Sequence, residues 1–258
     1  MIRILPGAAS ALFLALAAAR ANPPGPHTAV PASCGQLVVA LADTWNSSRG
    51  QLLTFVRKNA AAPWQPDMDA PVPVLFGRSG LAWGRGVIPV PHGQNGIPSK
   101  REKDFRTPAG CFRIGTLYGY ATQPPQGVVL PYHHVTARDC WVDDPASAFY
   151  NRHVEIDPGN PPPWHEKQRM RLGDFAYEWL LEIRHNADPP VPGAGSAIFF
   201  HIRRGPDRPS AGCITMARND LVQLLARLRP RLQPHGIFLP KAEFAVRQNP
   251  WGLPAWKP

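Results

Sequence analysis

Proline and glycine interrupt this chain more often than any long helix or central strand tolerates. Thirty-two prolines and 22 glycines stand among 258 residues, about 21%, nearly double the ~12% of average usage. Proline lacks the N–H that a continuing helix or ladder needs, and glycine gives up the most backbone freedom on ordering. This punctuation excludes a helical bundle and predicts a mainly β chain of short elements joined by turns. With 44% hydrophobic and 18% charged residues, a chain of this length can bury a core without staples. Four cysteines are too few for a disulfide scaffold.

The first residues read as an export signal. Arg3 gives a basic start, Ala8 to Ala19 is apolar, and Ala19-Arg20-Ala21 has the small-x-small pattern of a cleavage site. The apolar run is too short for the ~20 residues of a membrane span, and a Pro-rich stretch from Asn22 to Pro31 follows it. The expected organisation is a signal peptide over 1–21, a Pro-rich segment over 22–34, one domain over 35–240 and a tail over 241–258. The mature protein is expected in the periplasm or cell envelope and not spanning the membrane. Net charge is +10, and loss of Arg3 and Arg20 with the signal leaves +8. Such an excess attracts polyanions. Export and the lack of basic–aromatic repeats or zinc-finger spacings exclude nucleic acid, leaving carboxylate-rich envelope polymers or solubility alone.

Gln36 to Leu41 and Gln51 to Lys58 read as two strands of a hairpin, with turn chemistry at Asn46 to Gly50. Pro73 to Phe76, Gly110 to Leu117 and Phe175 to Ile183 are further strands. Ser196 to Ile202 is almost continuously apolar, as in a strand buried on both faces. One helix is expected, capped by Asn219 or Asp220, with Leu221, Leu224, Leu225 and Leu228 on one face and Pro230 as its stop. The tail after Pro240 has no period and is expected to wrap the surface.

The nine histidines show no metal-ligand spacing: His133 and His134 are adjacent, so they point apart on a strand, and His165-Glu166 lacks a second histidine. The stretch Phe199 to Met216, FFHIRRGPDRPSAGCITM, is different. A strand ends in His201, a loop carries Arg203, Arg204 and Arg208, and Ser210-Ala211-Gly212-Cys213 follows. A catalytic cysteine needs a base and an electropositive setting, because the thiolate is the nucleophile. His201 is the candidate base. Gly212 permits close backbone approach, so the N–H groups of Gly212 and Cys213 are candidate oxyanion donors. A histidine and cysteine at this spacing equally suit a structural pair.

The His-loop-Ser-x-Gly-Cys-Ile arrangement resembles the active-site signature of the L,D-transpeptidase (YkuD) catalytic domain. Upstream, Lys103 to Phe112 (KDFRTPAGCF) resembles that family's Asp-x-(Lys/Arg)-Thr-Pro-x-Gly-x-Phe segment. The chain departs at Thr215, where many members have arginine or asparagine, and at Ala211, where many have histidine. The resemblance implies a β-sandwich with a few peripheral helices, one after Cys213, and a catalytic domain over 35–240. It implies acyl transfer on peptidoglycan stem peptides through a Cys213 thioester, with His201 as base and no metal or organic cofactor. Ser210 would orient the loop, Arg203, Arg204 and Arg208 would hold substrate carboxylates, and carbapenem-type inhibitors would acylate Cys213. An L,D-carboxypeptidase, another peptidoglycan cysteine hydrolase and a non-catalytic wall-binding module are the alternatives. At most one disulfide is expected among Cys34, Cys111 and Cys140, with Cys213 free.

Overall fold

The structure, a computed structural model, describes residues 29–94 and 96–256. The export signal and most of the 22–34 segment therefore lie outside the described residues. In chain order the strands are β1 (Gln36–Ala42), β2 (Arg49–Val56), β3 (Gln65–Pro66), β4 (Val72–Leu75), β5 (Leu81–Trp83), β6 (Thr107–Gly119) and β7 (Tyr132–His134). They continue with β8 (Asp139–Val142), β9 (Arg152–Glu155), β10 (Trp179–Ile183), β11 (Phe199–Ile202), β12 (Ile214–Met216) and β13 (His235–Pro240). The helices are α1 (His165–Gln168), α2 (Arg218–Arg227) and α3 (Lys241–Trp251).

Strand order in the main sheet is β1-β13-β6-β10-β11-β12-β4-β2, and β2 pairs back onto β1. The mainly β fold expected from the sequence is thus a sheet folded over and closed on itself, which leaves those eight strands without an open edge. β3 extends β2, while β5 and β7 lie beside β6. β8 and β9 form a separate hairpin.

Burial follows the apolar runs. Every residue of β1 is buried, because its inner face lines the closed sheet and α3 packs against it. All four residues of β11 are buried too, beneath α2 and a 3₁₀ turn at Phe175–Tyr177. Leu37, Phe55, Trp83, Phe112, Phe200 and Phe238 are among the largest fully buried side chains.

Several expectations are corrected. The β1–β2 hairpin forms, but Arg49 and Gly50 belong to β2, Gly50 pairing with Ala42. The run Phe175 to Ile183 divides into the 3₁₀ turn and β10. Ser196 to Ile198 precede β11 rather than join it, because Ala197 is left-handed at φ 53°. Neither Asn219 nor Asp220 caps α2: the cap is Ala217, without a side-chain bond, and both lie inside the helix. Leu221, Leu224 and Leu225 are buried as expected, and Leu228 follows as the C-terminal cap. The tail is not irregular: Lys241–Trp251 is helical and buries Phe244 and Trp251.

Candidate active site

β11 and β12 are hydrogen-bonded neighbours running in parallel, with Phe200 opposite Ile214, His201 opposite Thr215 and Ile202 opposite Met216. Continued by one residue, the register sets Cys213 beside Phe199. His201 on β11 and Cys213, the residue just before β12, are thus brought into one neighbourhood although a loop separates them in sequence: Tyr177 packs on the His201 ring and lines the same cleft as Cys213.

Cys213 is half-buried and lines a cleft of about 200 Å³. Trp141, Tyr177, Leu180, Ala197 and Phe199 form its apolar walls, with Lys167, Gln168, Arg169 and Asp143 also lining it. The thiol donates weakly to the Ala197 carbonyl at 3.4 Å. Ala197 is held in its left-handed conformation by the N–H it donates to Asn151 Oδ1 at 3.0 Å. Asn151 also accepts from Trp141 Nε1 at 3.1 Å and donates to the carbonyls of His185 and Asn186. One buried amide thus ties together Ala197 and Trp141, two walls of the cleft.

His201 is 3% exposed and does not line the cleft. Tyr177 packs edge-on against its ring at 5.1 Å. Nδ1 donates to the Ile202 carbonyl at 2.9 Å. A carbonyl only accepts, so this bond places the neutral ring's proton on Nδ1 and makes Nε2 the basic nitrogen.

Burial dominates the protonation of both groups. It pushes the Cys213 thiol up to about 11, against the Phe199 N–H, Lys100 and Arg204. It brings His201 down to about 4, with the Ile202 carbonyl opposing it and Arg204 adding to it. The electropositive setting expected from the sequence is present but outweighed, so the thiol and the imidazole both rest neutral.

The Ser210–Cys213 turn is held from both sides. Ser210 Oγ accepts from the Gly212 N–H at 2.9 Å and donates to the Cys213 carbonyl at 2.5 Å. The Gly212 N–H expected as an oxyanion donor is therefore already engaged. Gly212 has φ 155°, and a Cβ there would stand 3.1 Å from the Arg106 carbonyl, which is why the turn needs glycine. Thr107, fully buried, donates its hydroxyl to the Gly212 carbonyl at 2.8 Å and accepts from the Gly77 N–H at 2.8 Å. Asp104 receives the Arg101 and Arg106 N–H groups and Lys100 Nζ, the last at 2.5 Å. The Lys103 to Phe112 segment thus braces the cysteine turn from behind.

None of Arg203, Arg204 and Arg208 lines the cleft. Arg204 comes nearest, its guanidinium 4.8 Å from the Tyr177 ring centre and bonded through Nε to Asp174 at 2.9 Å. The cations on the cleft itself are Lys167 and Arg169, which sequence reasoning missed because only α1 and the following turn bring them there. Tyr177, in the 3₁₀ turn, and Trp141, on β8, were missed because only the fold brings those elements to the cleft. Thr215 is 1% exposed, and its hydroxyl has no hydrogen-bond partner among the described residues. All four cysteines carry free thiols.

The model of the YkuD family, the L,D-transpeptidase catalytic domain, matches residues 45–236. No curated protein and no solved structure matches the chain.

Proposed function

Because the chain belongs to the YkuD family of L,D-transpeptidase catalytic domains, we propose that it is an exported cysteine acyltransferase acting on peptidoglycan stem peptides. The observation that carries this reading is Cys213 on the lining of a cleft, immediately before the strand that pairs in parallel with the His201 strand, with Tyr177 bordering both.

In this reading a tetrapeptide stem enters the cleft with the carbonyl between meso-diaminopimelate and the terminal D-alanine against Cys213. Sγ attacks that carbon as its proton passes to Nε2 of His201, so charge develops only in the reacting pair. Collapse breaks the C–N bond, the proton moves to the leaving amine, and D-alanine departs from a thioester. An incoming amine, deprotonated through the same imidazole, attacks the thioester and restores the thiol. Water in its place makes the product a shortened stem, the L,D-carboxypeptidase outcome. The Cys213 N–H is assigned as the oxyanion donor, since the Gly212 N–H serves Ser210. Ser210 orients the turn. Lys167 and Arg169 on the cleft suit the stem carboxylates, with Arg204 as reserve beside Tyr177; Arg203 and Arg208 stand further off in this assignment.

Intact mass after carbapenem incubation tests the nucleophile. Wild type should gain one adduct, Cys213→Ala none, and His201→Ala should acylate ~100-fold more slowly or worse. Cys111→Ala and Cys140→Ala should keep the adduct. Purified muropeptides then separate cross-linking from hydrolysis by product mass. An adduct surviving in Cys213→Ala, or a wild type inert to both reagents, would defeat the reading. Export with cleavage after Ala21 gives a mature chain beginning at Asn22, which the intact mass of secreted protein reads directly.

A further inference from the structure

Three side chains that this chemistry does not use meet behind the cleft wall. His133 lies in β7, Asp139 opens β8, and His153 lies in β9. The Nε2 atoms of His133 and His153 each stand 2.6 Å from the same atom, Oδ1 of Asp139. Their rings cross edge-to-face at 4.6 Å, and the three ligand atoms lie within 4.8 Å of one another. The other carboxylate oxygen is fixed by Thr136, whose N–H and hydroxyl donate to Oδ2 at 2.7 and 2.8 Å. That clamp keeps Oδ1 turned toward the two imidazoles, as the outer hydrogen bonds of metal ligands do.

The carboxylate at the centre of the cluster favours a cation. The Asp139 side chain is 1% exposed, and among the described residues its only ion-pair partners are these two histidines. Glu182 acts on His153 and Glu166 on Cys140, but each is paired with an arginine, Arg184 and Arg169, so the local negative charge is that of Asp139. Two imidazole nitrogens with one carboxylate oxygen suit zinc and its first-row neighbours, whereas magnesium and calcium prefer all-oxygen sets.

We propose that His133, Asp139 and His153 bind a divalent transition-metal ion, zinc first, which fastens the β8–β9 hairpin to the closed sheet. Tetrahedral ligands at ~2.0–2.1 Å from zinc stand ~3.3 Å apart, so each nitrogen–oxygen pair opens by roughly 0.7 Å as the ion replaces the shared hydrogen bonds. Both histidines are partly exposed, which gives the ion a way in and water a place in the fourth position. The site bears on the cleft through Trp141, two residues from Asp139 on β8. That ring packs on Tyr118 and on Phe199 at 4.8 Å, and Tyr118 in turn touches both histidines. The metal would stiffen the wall without taking part in acyl transfer.

The full chain carrying Cys213→Ala, so that the cleft thiol cannot ligate, is stripped with chelator and titrated with Zn²⁺ by calorimetry and with Co²⁺ by visible absorption. One ion per chain, a raised Tm and tetrahedral cobalt bands without thiolate charge transfer are expected. Asp139→Asn and His153→Gln should each weaken zinc binding by ~10-fold or more, and His134→Ala should not. Where a variant loses its circular dichroism, diethylpyrocarbonate labelling of the unaltered histidines replaces it: zinc should protect His133 and His153 and leave His134 modified. A folded chain that takes up no zinc, binding undiminished in folded Asp139→Asn, or protection of other histidines alone would overturn the proposal and leave a hydrogen-bonded clamp.

Discussion

The Thr107 hydroxyl donates to the Gly212 carbonyl at 2.8 Å and joins two sequence motifs 105 residues apart. The same oxygen accepts from Gly77 N–H, so one buried hydroxyl satisfies groups on two segments. Thr107→Val keeps the shape and strands both groups, at a cost of about 1–3 kcal/mol each when unsatisfied and buried. Chemical denaturation should show a lowered midpoint, and carbapenem acylation of Cys213 should slow as the turn loosens. Thr107→Ser should recover most of both; equal damage from Ser and Val would show that the methyl group, not the bond, matters.

The neutral resting pair sets the pH response of the free protein. Burial holds the Cys213 thiol near 11 and His201 near 4, so the thiolate fraction grows ~10-fold per pH unit throughout the neutral range. Iodoacetamide alkylation of Cys213, followed by peptide mass, should keep climbing into alkaline pH. A plateau near neutrality would mean a preformed thiolate–imidazolium pair.

Acid should unfold the chain through its buried histidines. His185 is 2% exposed, accepts the Arg85 N–H on Nδ1 and, with a proton on Nε2, donates to the Ala194 carbonyl. Burial, aided by Lys100, lowers it to about 3, below the ~6.5 of an unfolded chain. The unfolded state therefore takes up the proton first: stability is full above ~6.5 and falls by about 1.4 kcal/mol per pH unit toward the folded value. His185→Asn should be less stable at pH 7 yet show a flatter decline between pH 6 and 4 in thermal melts. An unchanged slope would assign the acid sensitivity elsewhere.

Thr215→Val removes a buried hydroxyl that has no partner among the described residues. Replacing it by a group of the same shape should leave stability unchanged or raise it by about 1 kcal/mol. A clear loss in the denaturation midpoint would reveal an interaction that the hydroxyl makes in solution.

What could be read from the sequence was local or carried by short motifs. The β1–β2 hairpin is contiguous, and the leucine face of α2 repeats at helical spacing, so both were legible. The start of α2 was not, because the chain turns into it directly from β12 and Ala217 needs no side-chain cap. Helix α3 hid behind Pro250, which sits in its last turn, and behind an apolar face reduced to Phe244 and Trp251. Cys213 and His201 stood out by type and order. Their protonation did not, because it depends on burial that only the folded sheet supplies. The meeting of His133, Asp139 and His153 depends on three strands coming together, which no spacing rule contains.

Because His201 lies in β11 and Cys213 directly precedes its parallel neighbour β12, their separation is held by that ladder and by the Ser210 and Thr107 bonds to the cysteine turn more than by the residues that connect them. The connection is anchored at one end by the Arg203 N–H on the Met216 carbonyl and at the other by the Ser210 bonds to Phe76 and Arg78. Between those moorings, Pro206 to Arg208 are exposed and Asp207 reaches Arg49, so the length of this loop is largely decoupled from the two residues. Insertions there can reshape what an incoming molecule meets while Cys213 and His201 keep their places, so under the proposed acyl transfer that stretch is where variants with altered acceptor choice are best sought.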